Sequence, residues 1–217
     1  MTLAHLEPVA PTTKRPERPP EAYLPMQRLT RQIAFEPDAW GPERKAEVTA
    51  LFDGLAPEWH TRGGPDRLKP TADALVRGAV PARGRAIEIG SGTGIHTGVL
   101  VEHFDSVVSV ELSTEMLGLA PRLEGNLLLR ADASRLAVRD SSVQAVVCVN
   151  AYLFPAEYSR VLVAGGRVVF VSTSGERTPI YLPPEEVLEA LEQVTEIESA
   201  ATSRCGWGIW TVVALAG

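Results

Sequence analysis

The residues best suited to chemistry are three alternating glycines framed by acids. Gly90-Ser91-Gly92-Thr93-Gly94 has the spacing GxGxG, with Glu88 just before it and Glu111 further along the chain. Glycine permits positive φ and lets a ligand lie against bare backbone. The dinucleotide fingerprint GxGxxG would put its third glycine at position 95, which is Ile95. A carboxylate at position 88 would also repel a pyrophosphate. The ligand that fits is nucleotide-like, carries no phosphate, and is cationic near the glycines. Glu111 can accept hydrogen bonds from both hydroxyls of a ribose. His60 and His96 are weak candidates for a catalytic base, since a lone histidine is more often structural. Cys148 lies in an apolar run and reads as a small buried hydrophobe. No metal site is expected.

Such a loop needs a strand ending in it and a helix leaving it. From position 85 onward, short apolar runs alternate with helical segments. Strands are expected at 86–89, 107–111, 127–130, 143–149 and 168–172, with helices at 95–103, 114–120, 156–162 and 184–193. The run Ala145-Val146-Val147-Cys148-Val149 is apolar without alternation, as in a strand covered on both faces. Two further strands, 195–200 and 209–214, flank Cys205-Gly206-Trp207-Gly208 and should form an antiparallel hairpin. The expected fold is α/β: a Rossmann-like, open, seven-stranded sheet with helices on both faces. It is mostly parallel, with a C-terminal antiparallel hairpin.

Upstream, residues 1–40 read as a proline-rich, flexible arm, with six prolines in the first 25 positions. Residues 41–217 read as the domain, made of N-terminal helices in 41–80 and the core in 81–217. One helix should start at Pro42 and bury Val48, Leu51, Phe52 and Leu55. Another should run over 71–77 and stop at Gly78.

Net charge is -6 and the pI is near 5.3, which disfavours sequence-independent binding to nucleic acid. No apolar run reaches the roughly 18–20 residues of a membrane span, and the first residues do not read as a secretory signal. Two cysteines give no disulfide framework, so a cytoplasmic setting is expected. Oligomeric state is left open, a homodimer included.

Four segments in order resemble the class I S-adenosylmethionine (SAM)-dependent methyltransferases, in particular their type 11 group. They are Ala86-Ile87-Glu88-Ile89-Gly90-Ser91-Gly92-Thr93-Gly94, the stretch from Val108 to Leu117, Arg130-Ala131-Asp132-Ala133-Ser134-Arg135-Leu136, and Arg160 to Val168 with its Gly165-Gly166 pair. Leu51-Phe52-Asp53-Gly54-Leu55-Ala56 resembles the helix before their core. The resemblance implies SAM as cofactor, with Glu88, Gly90, Ser91, Gly92 and Gly94 along its methionine end. Glu111 would hold the ribose, with Leu112 and Met116 near the adenine. Asp132 would take the adenine amine, Ala133 would give a backbone contact, and Asn150 would stand near the reactive methyl. SAM carries no phosphate and has a sulfonium and an amino group, which suits Glu88. The implied activity is methyl transfer to O, N or C of a small-molecule acceptor. The alternative is a SAM-binding enzyme of the same fold that cyclises or rearranges its substrate. The acceptor face is expected to include Tyr152, Phe154, Arg177, Tyr181, Arg204 and Trp207.

Overall fold

The computed structural model describes residues 1–217 apart from 16, 18, 60, 62 and 63. Its strands are β1 (Ala4–His5), β2 (Arg85–Ile89), β3 (Ser106–Glu111), β4 (Asn126–Arg130), β5 (Val143–Val149), β6 (Leu162–Ser172), β7 (Ile197–Cys205) and β8 (Gly208–Leu215). Its helices are α1 (Leu24–Phe35), α2 (Pro42–Trp59), α3 (Pro65–Arg77), α4 (Thr97–His103), α5 (Thr114–Leu119), α6 (Pro155–Val161) and α7 (Pro184–Glu192). The strands form one sheet in the order β1-β7-β8-β6-β5-β2-β3-β4. The block from β6 to β4 is parallel, and β8 runs antiparallel to both β6 and β7.

Burial of β5 explains its composition. Val146 and Cys148 point to one face, where they pack with Tyr158 and Val161 of α6 and Leu188 and Leu191 of α7. Ala145, Val147 and Val149 point to the other, with Leu75 of α3 and Leu100 of α4. The two-residue period of a strand thus feeds two cores. A third cluster joins Ile33 of α1 and Val48 of α2 to Tyr152 and Ile180, above the carboxyl ends of the strands.

The sheet has eight strands where the sequence pattern predicts seven. The extra one is β1, which pairs parallel with the outer edge of β7 through Ala4↔Ala201 and His5↔Thr202. Leu6 N donates to Thr202 O and Val9 N to Arg204 O, at 2.9 and 2.8 Å. The edge of β7 offers unpaired backbone groups that any short extended segment can satisfy. Two residues carry no periodicity, so such a pairing leaves no sequence signal. Helix α1 also lies before the first helix the pattern predicts. Pro25 falls in its first turn, where proline is tolerated. In α2 Leu51 is exposed, while Val48 and Ala56 are buried. Among the described residues no helix is long and apolar enough to cross a membrane.

The fold places one crevice with care. β2 sits between β3 and β5, so successive connections leave it in opposite directions. At such a switch point the strand ends diverge and leave room for a ligand. The glycine loop leaves β2 at this point.

Candidate active site

The loop between β2 and α4 turns on glycines 90, 92 and 94, with φ of 62°, 56° and 77°. Gly90 shows why no larger residue serves: an added Cβ would stand 2.9 Å from Ala151 Cβ, at the end of β5. The loop is thereby pressed against the neighbouring strand end, and its backbone faces open space.

Glu88 lies inside β2 and is 2% exposed. Thr97 Oγ1 and Ser109 Oγ both donate to its Oε2, at 2.7 and 2.6 Å. Burial pushes its carboxyl up to about 7; the two hydroxyls pull the other way, and the nearby Glu111 adds to the rise. Glu111 ends β3. Its Oε2 accepts from Gly92 N at 2.8 Å, and its Oε1 accepts from Leu112 N at 2.7 Å and Ser113 N at 2.8 Å. Burial raises its carboxyl above the ordinary range against the pull of these three amides. Glu111 therefore ties the glycine loop to the turn after β3. Ser113 caps α5 by accepting from Met116 N at 3.0 Å, and its hydroxyl donates to Asp53 of α2.

Asp132 follows β4. Its Oδ1 accepts from Trp40 Nε1 at 3.0 Å and Ser134 N at 2.9 Å, and its Oδ2 pairs with Lys45 Nζ at 2.6 Å. Burial would raise its carboxyl, but Lys45, Ser134 and Trp40 outweigh it and hold it below the usual range. Asn150 ends β5 with φ of 52°. Its Oδ1 accepts from Thr173 N and its Nδ2 donates to Thr173 Oγ1, both at 2.9 Å. The amide is thus committed to joining the ends of β5 and β6.

These residues surround a cavity of about 920 Å³, its open mouth included. Glu88, Gly90, Ser91, Gly92, Glu111, Leu112, Met116, Asp132, Ala133 and Asn150 all line it. Gly94 is not among the lining residues; its missing Cβ instead admits Pro121, whose Cδ would lie 2.8 Å from such an atom. His96 lines the cavity, with Nδ1 3.0 Å from Thr71 Oγ1. Burial, helped by the charge of Arg67, holds its imidazole neutral with a pKa down at about 3. His60 lies outside the described residues.

The expected acceptor face is divided. Tyr152 and Phe154 line the cavity. Tyr181 and Arg204 instead line a separate groove beside β1, and Arg204 pairs with Glu176. Trp207 Nε1 donates to Thr13 O at 2.8 Å, and Arg177 closes a 3-10 turn. The reason is geometric: Ser172 pairs with Ile209, so the hairpin tip stands at the same sheet edge as the strand ends, but β8 and β6 separate it laterally from the crevice between β2 and β5.

A further wall comes from the segment before the core. Trp40, Thr49, Phe52, Trp59 and Arg67 face the glycine loop and the strand ends. The Trp40 ring lies 5.4 Å from Tyr152 and 5.5 Å from Phe154, centroid to centroid. Arg67 stands over the Trp59 ring at 5.7 Å. The sequence signals were the spacing of Val48 and Phe52 on one helix face and the resemblance of residues 51–56 to a helix before the core, and neither marks what lies beneath.

Comparison with known proteins places this geometry. Residues 87–170 match a family described as a methyltransferase domain. Over 113 residues the chain is 30% identical to a dTDP-3-amino-3,6-dideoxy-alpha-D-glucopyranose N,N-dimethyltransferase of Streptomyces fradiae. That match covers 50% of this chain and 43% of the relative, so the chain matches less than half of the relative's length. A Thermotoga maritima structure, described as a SAM-dependent methyltransferase and a possible histamine N-methyltransferase, superposes with a TM-score of 0.60 at 17% identity. The superposition covers 76% of this chain and 99% of that one. A Haloferax volcanii putative methyltransferase, solved in complex with the Trm112 activator, gives 0.62 at 16% identity, over 76% and 98% of the two chains. At these identities the solved structures speak for the fold.

Proposed function

We propose that this chain, whose core carries the class I methyltransferase domain, is a SAM-dependent methyltransferase acting on a small molecule. The observation that carries the reading is the convergence of Glu88, the glycine loop, Glu111 and Asp132 on one cavity at the switch point of the sheet. The residues present fit the cofactor. Ser91, which lines the cavity, has its Oγ buried with no partner among the described residues, as expected of an atom awaiting a polar ligand. Gly90 and Gly92 leave backbone bare where a chain of methylene and sulfonium groups must pass.

When bound, SAM supplies a methyl group already activated on a cationic sulfur. The protein supplies binding, alignment and exclusion of water. Glu88 offers a buried carboxylate to the ammonium and sulfonium charges, with Oε1 free of the two hydroxyls that hold Oε2. Glu111, held rigid by three backbone amides, keeps one lone pair, on Oε2, for a ribose hydroxyl. Asp132 keeps one lone pair for the adenine amine beside Trp40 and Lys45. Arg67, across the glycine loop, suits the methionine carboxylate. Tyr152, Phe154, Phe52 and Trp59 wall off the reacting centre with apolar surface. Asn150 acts by fixing the end of β5 through Thr173, which sets where Ala151 meets Gly90.

The amino-sugar methyltransferase of Streptomyces fradiae supports a small-molecule acceptor. The test is calorimetric titration of S-adenosylhomocysteine (SAH), the demethylated cofactor, into wild type and Glu111→Ala. Micromolar binding by the wild type and loss of at least tenfold in the variant are expected. A wild type that binds no SAH overturns the proposal.

A further inference from the structure

Beneath the glycine loop a row of polar side chains crosses three neighbouring strands. Glu88 of β2 is the register partner of Ser109 of β3, and Ser109 is that of Leu128 of β4. Asn126 stands two residues before Leu128, so its side chain lies on the same face. Ser109 Oγ is 2.6 Å from Glu88 Oε2 and 2.9 Å from Asn126 Oδ1. Ser109 is 0% exposed and Glu88 2%. Asn126 Nδ2 is buried without a partner among the described residues.

This arrangement is one hydrogen short for an ionised Glu88. Ser109 has a single hydroxyl hydrogen and faces two acceptor oxygens. Both contacts are at hydrogen-bond distance, and each needs a hydrogen within it. With Asn126 Oδ1 toward Ser109, the second hydrogen is the acid proton of Glu88. Glu88 Oε2 then donates to Ser109 Oγ, and Ser109 Oγ donates to Asn126 Oδ1. An amide can also face a hydroxyl with its nitrogen. Turned over, Asn126 Nδ2 donates to Ser109 Oγ, and Ser109 Oγ donates to an ionised Glu88. The same turn gives the buried Nδ2 its partner. Thr97 Oγ1 donates to Glu88 Oε2 in both states. The row has two complete patterns, one for each charge of Glu88.

We propose that Asn126 is a positioning residue for the cofactor: through Ser109 it supports a protonated Glu88 in the cofactor-free fold and, by turning its amide, an ionised Glu88 when the cationic end of SAM or SAH enters. This rests on the methyltransferase reading and adds a proton to its cofactor binding. One proton leaves Glu88 for bulk water, and the hydrogens of Ser109 and Asn126 only rotate. The buried hydroxyl is satisfied in both patterns, so the carboxyl changes charge without stranding a polar group. The charged and titratable groups around Glu88 do not replace this support. Glu111 of β3 adds like charge. Asp132 is bound to Lys45 and Trp40, and Asp53 of α2 to Ser113. His96 is neutral, and Arg67 of α3 lines the cavity beyond it.

The test is calorimetric titration of SAH into the full-length protein, in paired buffers of different ionisation enthalpy. Burial puts the Glu88 carboxyl at about 7, so below that value the cofactor must expel a proton and above it none is there. Wild type should release close to one proton per SAH at pH 6 and close to none at pH 8.5. Its affinity should rise about tenfold per pH unit below 7 and then level off. Glu88→Gln should flatten the profile, which assigns it to Glu88 and not to Glu111. Asn126→Asp keeps the shape of asparagine but, when ionised, cannot donate to Ser109. Its profile should move up by at least about one pH unit, with affinity at pH 7 falling about fivefold or more. A packing role would leave the profile unmoved, and an unmoved profile overturns the proposal. A shift of equal size in a Ser109→Ala background shows a through-space charge effect and overturns it too. In cofactor-free wild type the Asn126 side-chain amide resonances, assigned by their absence from Asn126→Leu, should move with pH around 7 and stay still in Glu88→Gln. SAH at pH 6 should move them as raising the pH does. Resonances that ignore both pH and SAH overturn the proposal while the methyltransferase reading stands. Absence of SAH binding by the wild type overturns both.

Discussion

Replacing Glu88 by glutamine removes a titration while keeping the shape, and the structure sets its size. Burial raises the Glu88 carboxyl from 4.5 to about 7. Between those values the folded protein holds a proton that the unfolded chain has released. The stability this provides is full below about pH 4.5 and is lost as pH rises through about 7. Ionising Glu88 in the cofactor-free fold therefore costs about 3 kcal/mol, from roughly 1.4 kcal/mol per unit. Glutamine can turn its Oε1 to the hydroxyls of Thr97 and Ser109 and has nothing to ionise. Urea unfolding of wild type and Glu88→Gln at pH 5 and pH 8, without cofactor, isolates the effect. The variant should gain about 2–3 kcal/mol on the wild type between the two pH values. Taking the difference cancels His96, which is neutral in the fold and protonates on unfolding at pH 5 in both proteins. The same variant should bind SAH more weakly, because the carboxylate that burial strains is the one proposed to face the cofactor's positive end. A stability difference that is the same at both pH values refutes the reasoning.

Gly90→Ala should lower stability by about 1–3 kcal/mol, from positive φ and the approach to Ala151, and abolish SAH binding. Adding Ala151→Gly should return part of the lost Tm, since the contact goes while the φ cost stays. Asp132→Ala leaves Trp40 Nε1 and Lys45 Nζ without their shared partner. Tryptophan emission should shift, a Trp40→Phe background should remove the shift, and SAH affinity should fall about tenfold. Asp66 gathers Thr12, Thr13 and Lys69 at the start of α3, and these partners hold its carboxyl well below the usual range. Asp66→Asn should loosen this contact with the N-terminal segment, so that trypsin cuts after Lys14 faster while the core fragment survives.

The parallel core was readable because each strand must satisfy two faces at once. β5 falls at 143–149 both in the apolar pattern and in the fold, and β2, β3 and β4 each begin one residue earlier than the pattern suggests. β6 starts at Leu162 rather than 168, because its first half crosses the Gly165-Gly166 pair and holds a single partner, Val143, before the register shifts. Glycines inside a strand weaken the pattern on which a reader depends. β1 and α1 escaped notice for a different reason: their contacts lie on β7, α7 and the rim of the cavity, far away in sequence.

The sequence by itself determined one half of the cavity. Glu88, Gly90, Gly92 and Glu111 lie within one strand–turn–helix–strand unit, so local spacing places them together. Tertiary structure alone decided the other half. It brought α2 and α3 over the loop, spent the oxygens of Asp132 on Trp40 and Lys45, tied Asn150 to Thr173, and set His96 Nδ1 against Thr71. It also set Arg204 and Trp207 to the side of the crevice, on a hairpin beyond β6. A backbone conformation is written in a few consecutive residues, whereas a partner is chosen by how whole elements pack.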